Sequence, residues 1–186
     1  MPTAAYVSTG KPKASGAIYA APIGTALPTD ASTALNSAFK ELGFVSDDGV
    51  TNNATSNSDA VNAWGGQEVL VLSTEKTDEW HFTLIEAMNP EVLKIIYGDA
   101  NVTVNGTSGL ITVQATTAQL TDRAYVIDMA LKNNSMKRVV IPNGSLGEMG
   151  EVVYKDDEAI GYEITVKALP DANGISHYEY ILPGTT

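Results

Sequence analysis

The sequence predicts a mainly β protein, a β-sandwich or barrel with one flanking α-helix at about residues 89–97 and a short second helix at about 31–41. Three observations carry this. Apolar and polar residues alternate in short runs such as Trp80-His81-Phe82-Thr83-Leu84, Tyr125 to Leu131 and Ile160 to Ala168, the period of a strand with one wet face. Asn-Asn, Asn-Gly and Asp-Gly pairs separate the runs and keep connections tight. One segment only, Asn89 to Gly98, carries a strong apolar stripe at helical spacing between clear start and stop signals.

Taken in order, residues 1–15 are small and polar, with Gly10 and Pro12 as breaks, and predict a flexible N-terminal arm before a single domain over 16–186. Ala17 to Ile23 is a strand ended by Pro22 and Gly24. Asp30 is a good N-cap, and Leu35, Ala38, Phe39 and Leu42 then fall at helical spacing before Gly43, which gives the short helix. Leu42 to Ser46 and Gly49 to Thr51 read as strand fragments around an Asp47-Asp48-Gly49 turn. Thr51 to Asp59 has almost no apolar content and cannot bury enough surface to order itself alone. The region of about 47–66 is therefore expected to be a long exposed loop or β-arm, and such a length inside a domain is often functional.

Val69 to Leu72 is a continuous apolar run that suits a strand buried on both faces, ended by a Glu75-Lys76 turn. Trp80, Phe82 and Leu84 then point to one face. Asn89 caps the main helix with Pro90 at its first position; Val92, Leu93, Ile96 and Tyr97 form its stripe and Gly98 stops it. From Asn101 the pattern is almost wholly β. Strands are expected at Val102 to Val104, Leu110 to Ala115, Asp122 to Lys132, Lys137 to Ile141, Glu151 to Lys155, Ile160 to Ala168 and Ser176 to Leu182. Turns are expected at Asn133-Asn134, Asn143-Gly144 and Asn173-Gly174.

The chain has 186 residues, a net charge of −11 and no cysteine, so disulfides, thiol nucleophiles and cysteine metal sites are excluded together. No run is long and apolar enough for a helical membrane span, so no membrane insertion by this chain is expected. The first ten residues lack the basic start and apolar centre of a secretory signal. Acid is concentrated: between Glu41 and Asp99 stand eleven acidic residues against Lys76 and Lys94. Such a field repels phosphate, the opposite of the usual nucleic-acid footprint. It fits a soluble surface, and equally a wall past which DNA moves without sticking.

The residues that could carry chemistry read mostly as structure. His81 and His177 are the only histidines, each within an alternating run and without further ligands at metal-site spacing. The carboxylate clusters Asp47-Asp48 and Asp156-Asp157-Glu158 are turn formers, with no catalytic partner and no EF-hand spacing. Ala63-Trp64-Gly65-Gly66 lacks the downstream Lys-Ser/Thr of a phosphate loop. Trp64 either pins the loop to its own domain or meets a neighbouring subunit, where aromatic residues are enriched. Lys132, Lys137 and Arg138 are too few for a nucleic-acid groove; they suit a solvated face or the acidic segment of another copy. No catalytic site, cofactor or metal is expected.

Several phrases, in this order and spacing, resemble the major tail protein, or tail tube protein, of long-tailed (siphovirus-type) bacteriophages. They are Ala21-Pro22-Ile23-Gly24-Thr25-Ala26-Leu27-Pro28-Thr29-Asp30, Leu42 to Val50, Ala63 to Gly66, the helix Asn89 to Gly98, Val139 to Gly144, and Gly161 to Ala168 followed by Asp171. The resemblance implies a tail tube domain in which inner sheets of six copies join edge to edge as a ring. Rings then stack into the tail tube, a conduit for double-stranded DNA into the host bacterium. It implies a structural protein and no enzyme, with itself, the tape-measure protein, the tail terminator and the distal tail proteins as partners. Its expected location is the virion tail, after assembly in the host cell cytoplasm. Some members carry a C-terminal immunoglobulin-like domain, which is not expected in the sequence to Thr186. Candidate contacts between subunits are Asp47, Asp48, Trp64, Gly65, Gly66, Lys137 and Arg138, with the region 47–66 as the assembly loop. An immunoglobulin-like binding module on a virion surface or outside a cell, recognising carbohydrate or a host protein, is the alternative from another class. A small hydrolase lacks the residues it would need.

Overall fold

A computed structural model describes residues 6–13 and 17–184. Eleven strands and one α-helix are present among them: β1 Lys11–Pro12, β2 Ile18–Pro22, β3 Lys40–Glu41, β4 Val45–Asn62, β5 Glu68–Leu84, α1 Pro90–Tyr97, β6 Val102–Val104, β7 Ile111–Val113, β8 Arg123–Ala130, β9 Met136–Met149, β10 Tyr162–Leu169 and β11 Tyr178–Leu182. Nine strands form one antiparallel sheet in the order β3-β2-β8-β9-β10-β5-β4. Strand β1 pairs β8, β11 pairs β9, and β6 and β7 make a separate two-stranded sheet.

Strand β9 organises the body. One of its edges pairs β8 from Met136 to Gly144; the other pairs β11 at Met136–Val140 and β10 at Asn143–Met149. The ladder to β8 slips by one residue between Tyr125↔Ile141 and Arg123↔Gly144, which places Pro142 and Asn143 at a bulge. Proline is tolerated inside a sheet at such irregularities because it has no N–H to donate. The expected Asn143-Gly144 turn is therefore a bulge inside a continuous strand. Gly144 is there for space: a Cβ would lie 2.6 Å from the Tyr125 ring and 2.7 Å from Val166.

Both faces of β8 and β9 are covered. On one face Tyr125, Ile127, Val139 and Ile141 pack with Trp80, Phe82, Leu84, Ile164 and Val166, and with Val92, Leu93, Ile95 and Ile96 of the helix. On the other, Ala124, Val126 and Val140 pack under Phe39, Leu27, Leu35, Tyr178 and Tyr180. The alternation of Trp80, Phe82 and Leu84 and of the β10 residues is buried as expected. The helix begins as its sequence predicts, with the Asn89 side chain accepting from the Glu91 N–H at 3.0 Å and Pro90 in the first turn; Gly98, at φ 93°, ends it. Asn133 and Asn134 hold positive φ values of 55° and 59° in the β8–β9 turn, which Asn tolerates better than most residues.

Several expectations are corrected. The helix at about 31–41 does not form. The Asp30 carboxylate instead accepts the N–H groups of Ser32 and Thr33 at 2.6 Å, and Asn36 accepts that of Ala38 at 3.0 Å. Short polar side chains thus hold the backbone in turns that compete with a helix, and Lys40–Glu41 pairs with β2. Glu151 to Lys155 is a loop, not a strand, and Glu75-Lys76 lies inside β5. The Asp47-Asp48-Gly49 turn is a bulge of β4, with Gly49 at φ 74° and the register shifted between Val45 and Val50. Of the N-terminal arm, Lys11 and Pro12 pair with Ala130 and Met129, and Ser8 Oγ accepts the Lys132 N–H at 2.8 Å. Residues 1–5, 14 and 15 of that arm lie outside the described residues.

Candidate assembly surfaces

The most distinctive element is the β4–β5 hairpin. Its base belongs to the body, where β5 pairs β10 from Glu79 to Leu84 and β4 on its other edge. Beyond that base the two strands continue as a free two-stranded arm. Every residue from Thr51 to Lys76 is exposed, and the register runs from Ala54↔Asp78 to Asn62↔Glu68. The nine residue pairs beyond Asn53↔Glu79 extend the arm by about 30 Å at ~3.3 Å each. The expected long loop or β-arm over 47–66 is thus one strand and the tip of a hairpin whose second strand continues to Leu84.

Towards its tip the arm carries exposed apolar side chains on both faces, with Asp59 opposite Leu72 on one and Ser58, Ser73, Asn62 and Glu68 around Ala60 and Val71 on the other. Val61 stands opposite Leu70, next to Leu72 on the same face; Ala60 stands opposite Val71 on the other. Val69 is the extra residue of a bulge between the Val61 and Asn62 pairs. Val61 and Val69 to Leu72 are 42% to 59% exposed. This corrects the expectation that Val69 to Leu72 is buried on both faces, since nothing in the described chain covers it. Trp64 is fully exposed at the tip. Gly65 and Gly66 beside it take φ values of 119° and 90°, and the Ala63 N–H donates to the Gln67 carbonyl at 2.7 Å to close the turn. The pinning of Trp64 onto its own domain is excluded by that exposure.

The base of the arm is clamped by polar contacts. Asp78 accepts from Asn52 Nδ2 at 2.7 Å and meets the His177 imidazole, which stands edge-on to Trp80 with ring centroids 5.2 Å apart. His81 Nδ1 lies 2.8 Å from Thr165 Oγ1 across the β5–β10 pair. His81 thus ties two strands together, and His177, in the segment just before β11, ties that segment to β5.

The other sequence-derived candidates separate into three places. Asp47 and Asp48 line an open depression of about 620 Å³ with Glu151, Asp157, Glu158 and Glu163. Both carboxylate clusters therefore meet at the base of the arm, yet no group of three or more metal-ligating side chains is arranged to hold an ion among the described residues. Lys137 is half-buried and paired to Glu179 at 2.7 Å. Arg138 is corrected from a contact between subunits to an internal one, being only 1% exposed. Its Nε and Nη2 donate to the two Asp128 carboxylate oxygens at 2.6 and 2.9 Å, and Nη1 donates to the carbonyls of Asp30 and Thr33 at 3.0 and 2.8 Å. Hydrogen bonding to Asp128 raises the guanidinium pKa further above its ordinary value. Its sequence neighbours Lys132 and Lys137 suggested a surface basic patch. The alternation Arg138, Val140 placed it on a covered face, a signal that could have been used.

The mainly β body with its projecting, solvent-exposed arm has the architecture of a structural protein. The chain belongs to the phage tail tube protein family, whose model matches residues 12–185. It is a structural component of the tail tube, located in the virion tail, and assembles with copies of itself. No curated protein matches it significantly.

Proposed function

We propose that six copies form a ring, that rings stack as the tail tube, and that the tube conducts double-stranded DNA into a host bacterium after assembly in that cell's cytoplasm. The observation that carries the assembly reading is the arm. A two-stranded ribbon alone is marginally stable in water, and an apolar surface on both of its faces is a mark of an interaction site. Only a partner that encloses the arm removes both faces from water. Within the ring, the free edge of β4 and the outer edge of β11 offer backbone groups for edge pairing between copies. The net charge of −11 favours a lumen on which DNA slides without tight binding. The tape-measure protein would fill the tube before ejection, with terminator and distal tail proteins at its ends. The role is non-enzymatic.

The test replaces Ser56 to Lys76 by an Asn-Gly turn that closes the Thr55↔Thr77 pair. A folded monomer that no longer forms tubes by electron microscopy is the expected result. Tubes indistinguishable from those of the parent would remove the arm from assembly.

A further inference from the structure

Asparagine followed by glycine occurs three times, at Asn105-Gly106, Asn143-Gly144 and Asn173-Gly174. Such a pair can react with itself: the glycine's backbone nitrogen adds to the asparagine's Cγ, and glycine has no side chain to obstruct the five-membered ring. The fold treats the three pairs differently. Asn143 and Gly144 lie in β9, paired with Leu169 and Ala168 of β10, and Gly144 is buried. Closing the ring there would break the ladder. At Asn173 the Gly174 N–H already donates to the Asp171 carbonyl at 2.9 Å. The Asp171 carboxylate accepts the Asn173 N–H at 2.8 Å and its Nδ2 at 3.4 Å. A negative charge beside that loop opposes loss of the Gly174 proton and holds the amide nitrogen that would have to leave.

Asn105 meets the opposite conditions. It stands with Gly106 in the exposed loop between β6 and β7, and the Gly106 N–H has no acceptor among the described residues. The Asn105 Oδ1 accepts the N–H groups of Thr107 and Ser108 at 2.9 and 3.1 Å. Two donors thus face the oxygen on which negative charge develops when Cγ is attacked. The Gly109 N–H donates to the Asn105 carbonyl at 2.8 Å and the Asn105 N–H to the Leu110 carbonyl at 2.9 Å, which fixes the loop around this arrangement.

We propose that Asn105 is a site of spontaneous deamidation, and that it is the Asn-Gly pair at which the folded chain modifies itself fastest. The Gly106 nitrogen gives its proton to solvent base and bonds to Cγ. The Cγ–Nδ2 bond then breaks and ammonia leaves, giving a cyclic imide. Water opens the ring at either carbonyl, so Asn105 becomes aspartate or its β-linked isomer, with no oxidation or reduction. Either product adds a negative charge to the loop. The β-linked product also routes the main chain through Cβ, between the N–H and the carbonyl whose hydrogen bonds close the loop. The proposal is independent of how copies assemble.

The test incubates the full chain at mildly alkaline pH in isotopically labelled water, with and without denaturing urea. Peptide mass spectrometry follows each Asn-Gly pair by the mass gain from amide to acid. In urea the three pairs should react at similar rates, because the following glycine is common to all. In the folded chain Asn105 should react at least as fast as in urea. Asn143 and Asn173 should slow by about tenfold or more, since each must first break the bonds that hold it. The Asn105 product should be a labelled mixture of aspartate and its β-linked isomer. Protection of Asn105 by folding as strong as that of Asn143, or faster reaction at Asn173, would overturn the proposal. So would aspartate alone, the product of direct hydrolysis without a ring. Thr107→Pro removes one of the two donors and leaves the Asn-Gly pair in place. With its own rate in urea as the reference, it should slow Asn105 in the folded chain, and an unchanged ratio would overturn the part given to the donors.

Discussion

Replacing Arg138 by Ala tests whether this residue serves the fold or the assembly. The guanidinium fills the space under the 30–33 loop and neutralises Asp128, itself only 4% exposed. Removing it leaves a buried carboxylate whose remaining cationic partner is Lys13, 3.4 Å away and partly exposed. Breaking a buried pair from one side costs about 3–5 kcal/mol. Lys13 offsets part of this, and the Asp30 and Thr33 carbonyls lie on a partly exposed and an exposed residue, where water can replace the lost donor. A loss near the lower end, about 3 kcal/mol, is therefore expected for the monomer. With a urea slope of about 2 kcal/mol/M, the midpoint falls by about 1.5 M. Removing both charges as Arg138→Met with Asp128→Leu should recover much of the loss, since no unpaired charge remains. Equilibrium urea unfolding followed by circular dichroism, on a variant kept monomeric by arm truncation, measures both. An Arg138→Ala monomer as stable as its parent, with tube formation abolished, would refute the internal role and restore Arg138 to an interface.

Gly144→Ala should destabilise by about 2 kcal/mol through overpacking against Tyr125 and Val166, read as a lower urea midpoint at constant slope. Asn89→Ala removes the helix cap and should lower the same midpoint by the equivalent of about 1 kcal/mol. Asp30 has its pKa lowered, first by the Thr33 hydroxyl and then by the Thr33 and Ser32 N–H groups. Its contribution is complete above the ordinary carboxylate value, about pH 4, and is lost as pH falls through the depressed native value. Asp30→Asn should therefore weaken the monomer at pH 7 and flatten its loss of stability below pH 4 in acid titration followed by circular dichroism.

The body was legible because its rules are local. Trp80, Phe82 and Leu84 alternate because one face meets the core, and the Asn89-Pro90 start and Gly98 stop frame the helix in three residues. The misread places share another cause. Val69 to Leu72 looks like a strand buried on both faces, and its composition is that of one. What sequence pattern cannot distinguish is burial by the same chain from burial by another. The 31–41 segment has helical spacing, but Arg138, more than a hundred residues away, draws in the carbonyls of Asp30 and Thr33 and so favours the turn. Asn143-Gly144 reads as a hairpin dipeptide, while Tyr125 and Val166 require its glycine for contact. Among the assembly candidates, Trp64 and the Gly-Gly turn stand out by their oddity in a polar stretch.

The two-sided anchoring of β5 has a mechanical side. A pull on the arm along its length loads the ladders to β10 and β4 in shear, so the backbone bonds from Glu79 to Leu84 share the force. They do not open one at a time, as they would if the strand were peeled sideways. Strand β10 hands that load to β9, and β9 to β8 across its other edge. Tension applied to the arm would thus run through continuous sheet from arm to body, which makes the subunit stiff along the direction of β5.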